Sequence, residues 1–232
     1  MEALIKILKE FDENRKNRVK GEDWSSKSIE EKHKAIADWF RPCAEKILCN
    51  GYFLVNGEYI IDLGAIELYY HEEDGTIKDL KMYHTNDKLP NVFKERLKKY
   101  PIEQLPIFYK ELKENDGYPY FKRGSFNLHQ SGIDVTFEND DNKNDKYRAS
   151  FLIRSYRMFK KDDPNKDIIL YDYCSSHLYD DLYYSGLLSF LGTNAIKWVE
   201  YNKGGDIEQG KRINIEGERL WQFRLVGLKT IK

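Results

Sequence analysis

Leu4, Ile5, Leu8 and Phe11 recur at helical spacing, so the chain opens with an amphipathic helix. The polar stretch 12–27 breaks that pattern and predicts an interruption. Ser28 and Glu31 then have the spacing of a capping box, with Ser28 as N-cap. Ile29, Ile36, Ala37 and Phe40 follow as the buried stripe of a second helix. Pro42 is expected to interrupt or restart it, and Asn50-Gly51 to stop it.

From Tyr52 the period shortens. Residues 52–55 and 59–62 flank Asn56-Gly57, a dipeptide suited to a type I′ hairpin turn. Residues 65–70 read as another strand, and helical or irregular segments fill 87–115. Strands return at 125–128, 133–138 and 149–156, with 139–146 as a polar hairpin tip. A short helix is expected at 183–191, and closing strands at 212–215 and 220–226. Helices first and strands afterwards predict an α+β fold, with N-terminal helices followed by one curved, mainly antiparallel β-sheet. The reading divides the chain into an N-terminal helical extension, 1–41, and an α+β domain, 42–232.

Composition narrows the class. With 17 Tyr, 12 Phe and 4 Trp the chain has ample material for a core, which argues against disorder. No apolar run is long enough for a membrane helix, and the first residues lack the apolar core of a secretion signal. Three cysteines (Cys43, Cys49, Cys174) cannot close a disulfide framework, so a reducing, cytoplasmic setting is expected. The net charge of −1 argues against binding nucleic acid through charge alone. The charge is uneven, however. Residues 58–74 are acidic, while Lys88, Lys94, Arg96, Lys98 and Lys99 form a basic stretch.

Four features carry candidate chemistry. Glu67 lies between Ile66 and Leu68, and a carboxylate among apolar residues in a strand is costly to bury unless paired or used. Such a group suits a general base, and equally one half of a structural ion pair. Glu67, His71 and His84 suggest a zinc set, and the turn 71–75 a hard-cation loop. Neither has the spacing of a known metal motif, so no metal is expected and the turn reads as solvated. In the stretch 123–132, Ser125, Asn127 and His129 share one strand face, either exposed or lining a site. Arg154 sits inside Phe151-Leu152-Ile153-Arg154-Ser155, and an arginine so embedded needs an anionic partner.

The order Ile66-Glu67-Leu68-Tyr69, then His84, then Gly124-Ser125-Phe126, then Phe151-Leu152-Ile153-Arg154, then Lys211-Arg212-Ile213 with the strand at 220–227 resembles the alkyladenine (3-methyladenine) DNA glycosylase family. The resemblance covers roughly 42–227. It implies base excision repair: a damaged, alkylated or deaminated purine is flipped out of DNA, and water cleaves its N-glycosidic bond. By that resemblance Glu67 deprotonates the water and Arg154 holds it. Tyr69 and His84 would stack on and hydrogen-bond the base, with His129 and Asn127 as further candidate base contacts. From charge clustering rather than resemblance, Lys122, Arg123, Lys211 and Arg212 are the candidates for the nucleic-acid backbone. The resemblance implies no metal or organic cofactor and DNA as the partner; no protein partner is inferred. The chain departs from the family where tyrosines would stack and wedge. Here the stretch reads Asn127, His129 and Gln130-Ser131-Gly132, and an acid, Glu138, stands where a neutral amide is usual. Two other readings stand beside this one. The first is a non-catalytic nucleotide- or nucleic-acid-binding domain on the same fold. The second is an interaction protein whose aromatic residues only form core.

Overall fold

The computed structural model describes residues 1–21, 23–82, 121–129, 132–138, 147–163, 169–171, 178, 181–182, 186–187, 193, 195–212, 215 and 219–227. Among the described residues two helices, α1 (Glu2–Gly21) and α2 (Ile29–Cys49), precede nine strands. These are β1 (Gly51–Val55), β2 (Tyr59–Glu72), β3 (Phe126–His129), β4 (Gly132–Thr136), β5 (Tyr147–Lys160), β6 (Ile169–Tyr171), β7 (Ile196–Glu200), β8 (Ile207–Gly210) and β9 (Gln222–Leu225). The fold is α+β, an open, curved, antiparallel sheet under two N-terminal helices. No described helix is long and apolar enough to cross a membrane.

The helices form for the reasons the pattern gives, with two differences. Ser28 and Glu31 close the capping box reciprocally: Ser28 Oγ accepts from the Glu31 N–H at 3.2 Å, and Glu31 Oε2 from the Ser28 N–H at 2.8 Å. Pro42 lies inside α2 without ending it, because Phe40, Cys43 and Ala44 on either side are fixed in one core. The polar stretch after Phe11 does not stop α1 either. Asp12 and Arg15 turn inward, toward phenols of the sheet. Tyr147 Oη donates to Asp12 Oδ1 at 2.6 Å, and Arg15 Nε donates to Tyr70 Oη at 2.8 Å. The boundary expected between 41 and 42 falls within α2, and both helices pack into the same core as the sheet.

Two 14-residue strands, β2 and β5, form the spine of the sheet. They pair from Tyr59–Lys160 to Glu72–Tyr147. One half of the spine is flanked by β1, β7 and β6, and the other by β4, β3, β9 and β8. Asn56 and Gly57 have φ of 54° and 74° and close the expected hairpin between β1 and β2. The segments expected at 59–62 and 65–70 are one continuous strand. Closing strands fall at β8 and β9, so the pairing begins before Arg212 rather than at it. β7, unmarked in the sequence reading, pairs with β1. The segments 87–115 and 139–146 and most of 183–191 lie outside the described residues.

Candidate functional site

The register of the spine shifts in its middle. Leu63 pairs with Tyr156, Ala65 with Ser155, and Ile66 with Ile153. Gly64 on β2 and Arg154 on β5 are therefore left without a cross-strand partner, a pair of adjacent bulges. A bulge advances the alternation by one residue. Ile61 and Leu63 face the helices before it, and Ile66, Leu68 and Tyr70 face them after it. Glu67 is thereby turned to the opposite side of the sheet, and Arg154 is released toward it.

That opposite side is polar and buried. One cross-strand row runs Asn127, Asp134, Leu152, Glu67, Gln222 and Gly210 across β3, β4, β5, β2, β9 and β8. The next row carries Thr136, Ser150 and Tyr69. Glu67, Thr136 and Ser150 are fully buried, and Asp134 is 1% exposed.

Glu67 is the centre of an ion cluster. Arg154 grips it bidentately, Nε to Oε2 at 2.8 Å and Nη2 to Oε1 at 3.1 Å. Arg212 Nε also donates to Oε1, at 2.9 Å. The other side of Arg212 clasps Asp79, Nη2 to Oδ1 at 3.1 Å and Nη1 to Oδ2. The Arg212 guanidinium lies 3.6 Å from the centre of the Tyr69 ring. Tyr69 also packs with Met82 and Leu152. Two carboxylates thus meet two guanidiniums. An ionised carboxylate offers about four acceptor positions. Among the described residues three of those on Glu67 are filled, and the open one is on Oε2.

Electrostatics follow from this packing. Burial pulls the Arg154 guanidinium down, but the hydrogen bonds and charge of Glu67 outweigh it, and its pKa lies above the ordinary value. Arg212 behaves alike: burial lowers it, while Asp79, Tyr69 and Glu67 raise it further. Burial pushes the Tyr69 phenol upward, so it stays protonated and neutral.

The structure sorts the expected site residues. It brings together Glu67, Arg154, Tyr69 and Arg212. Arg212, expected at a phosphate backbone, is instead 1% exposed at its side chain and bound to two carboxylates. Arg123 is likewise tied down, its side chain 9% exposed, with Nη2 at 3.2 Å from Asp12 and Nε donating to the Phe137 carbonyl at 3.2 Å. Lys122 and Lys211 are exposed. Asn127 lies three strands from Glu67, about 14 Å at ordinary strand spacing. The backbone of His129 ends β3, while its side chain and all of His84 lie outside the described residues. His71 Nδ1 accepts the Asp79 N–H at 3.1 Å, which makes it a brace behind Asp79. Glu138 is fully buried, and its Oε2 accepts the Phe121 N–H at 2.9 Å.

Asp79, Asp134, Ser150 and Gln222 were not singled out from sequence. Three of them carry the signal that marked Glu67, a lone polar residue between apolar neighbours in a strand. Asp134 stands between Ile133 and Val135, Ser150 between Ala149 and Phe151, and Gln222 between Trp221 and Phe223. Asp79 sits in a turn, where no periodicity marks it.

A separate groove of about 520 Å³ lies on the helix side, lined by Arg18, Lys27, Lys34, Glu31, Asp38 and Trp39 among others. Its lining comes from α1, α2 and Lys27 between them, and Glu67 is not part of it. Among those residues no group of three or more metal-ligating side chains is gathered. No protein-family model matches the chain. No curated protein matches it, and no solved structure does.

Proposed function

We propose that the polar face of the sheet is the active site of a hydrolase of the alkyladenine DNA glycosylase kind, acting in the cytoplasm on a damaged purine in DNA. The observation that carries this reading is Glu67, held by Arg154 from the adjacent strand, with one acceptor position left on Oε2 and Tyr69 beside it. A water donating to that position gives up its proton as its oxygen bonds to C1′. The C1′–N bond breaks with its electron pair going to the base: a cationic alkylated purine leaves neutral, and a neutral deaminated purine leaves as the anion and takes its proton from solvent. Arg154 and Arg212 keep the carboxylate in place during this step, and Lys122 and Lys211 are the exposed cations for phosphate.

A second reading, a non-catalytic nucleotide- or nucleic-acid-binding domain, is favoured by two features. Glu67 is fully buried, and Arg212 both holds its carboxylate and covers the Tyr69 face on which a base would stack. The deciding assay is base release from paired and bulged oligonucleotides carrying alkylated or deaminated purines. The wild type is expected to release base, and Glu67→Gln to lose release while keeping affinity within about tenfold. Binding without release supports the second reading. Turnover retained in Glu67→Gln removes Glu67 from the chemistry, and absence of both binding and release refutes both readings.

A further inference from the structure

Gln222 lies directly across from Glu67, on the same side of the sheet, and is 7% exposed. Its Nε2 is buried with no acceptor among the described residues. Glu67, its cross-strand neighbour, takes no hydrogen bond from it. On its other flank stands Gly210, which has no side chain to cover the amide. Ser150 Oγ, on the same polar face, is likewise buried without a partner among the described residues. Buried donors left open cost stability, and they are kept where a ligand completes them.

We propose that Gln222 is the specificity-determining residue of this site, its Nε2 donating to an acceptor on the purine edge (ring N3 or N7, or the exocyclic O6) while Glu67 handles the water. This rests on the reading of the polar face as a purine site. It assigns recognition of the base to the β9 strand, beyond the residues the family resemblance implies. A glutamine amide matches a purine edge because it offers donor and acceptor side by side.

The probes are bulged oligonucleotides carrying 2′-deoxyadenosine, 2′-deoxyinosine, or their 3-deaza and 7-deaza analogues, with affinity read by fluorescence anisotropy. The wild type is expected to bind one parent about tenfold more tightly than the analogue lacking the contacted nitrogen, or inosine differently from adenosine if O6 is the contact. Gln222→Met is expected to abolish that preference and to melt no lower than wild type, because it removes an orphaned polar group and keeps the shape. Gln222→Leu repeats the test should methionine not pack. A preference that survives substitution overturns the inference alone. So does a marked fall in melting temperature in both variants, which marks the amide as structural. Wild-type protein that binds none of the probes overturns the inference and the purine reading together.

Discussion

Replacing Arg212 with methionine tests the ion cluster most directly. The substitution keeps an apolar stem over Tyr69 and deletes the charge. Glu67 retains its bidentate contact with Arg154, but Asp79 is left with one described donor to its side chain, the Lys81 N–H at 3.0 Å. Asp79 is 1% exposed, so its charge is then buried without an ion pair in contact among the described residues, with Arg219 acting on it only from longer range. Breaking a buried pair by removing one partner costs about 3–5 kcal/mol. In a chain of this size each kcal/mol moves the melting temperature by about 2–4 °C, so the variant should melt about 6–20 °C lower. Adding Asp79→Asn removes the stranded charge, and the double variant should be more stable than Arg212→Met alone. Urea unfolding of the two single variants and the double variant completes the cycle. A loss below about 1 kcal/mol in Arg212→Met, the range of exposed pairs, would show that no buried ion pair is broken there. So would strictly additive losses.

Three further outcomes follow from the same geometry. Deleting Gly64 removes the β2 bulge and should turn Glu67 toward the helices; the expected result is loss of the cooperative melting transition by circular dichroism, and a native-like melt would show that the bulge does not set the phase. Burial, followed by the charge of Arg219, lowers the His33 pKa from 6.5 to about 4. The unfolded chain therefore binds the extra proton first, so this contribution to stability is fully present above pH 6.5 and fades as pH falls toward 4; His33→Gln should flatten that part of the pH–stability curve measured by urea unfolding. If Lys122 and Lys211 meet phosphate, changing each to alanine should make the slope of log affinity against log salt less steep by about 0.9, and unchanged slopes would place the phosphate contacts elsewhere.

The fold class was legible because the period of apolar residues changes at Tyr52, and the capping box and Asn56-Gly57 turn are local signals that tertiary packing reinforced. Glu67 and Arg154 stood out as charges inside apolar strand segments, and the structure pairs them. What could not be read was phase. Gly64 is the kind of residue that marks a bulge inside a strand, but beside it the strand at 59–72 looked like two, so the change of buried side there went unseen. Arg212 was misplaced for a related reason. Near Lys211 it reads as part of a basic surface pair, and only the return of β9 beside β2 brings it to Glu67. The inward turn of Asp12 and Arg15 was equally hidden, because their partners, Tyr147 and Tyr70, come from strands far along the chain.

That distance has a consequence for how the protein comes into being. Glu67 is separated from Arg154 by 87 positions and from Arg212 by 145. Synthesis therefore delivers the two carboxylates, Glu67 and Asp79, well before either guanidinium. When Arg154 emerges the cluster still lacks one positive charge, and it balances only once Arg212 has been made. Burying the polar face before then would enclose an uncompensated anion. The helices and the apolar side of the spine can collapse early, but the polar side should stay open to water until the β8–β9 segment returns. Closure of this face is then a late, single event, and a chain interrupted before Arg212 should expose it to proteolysis.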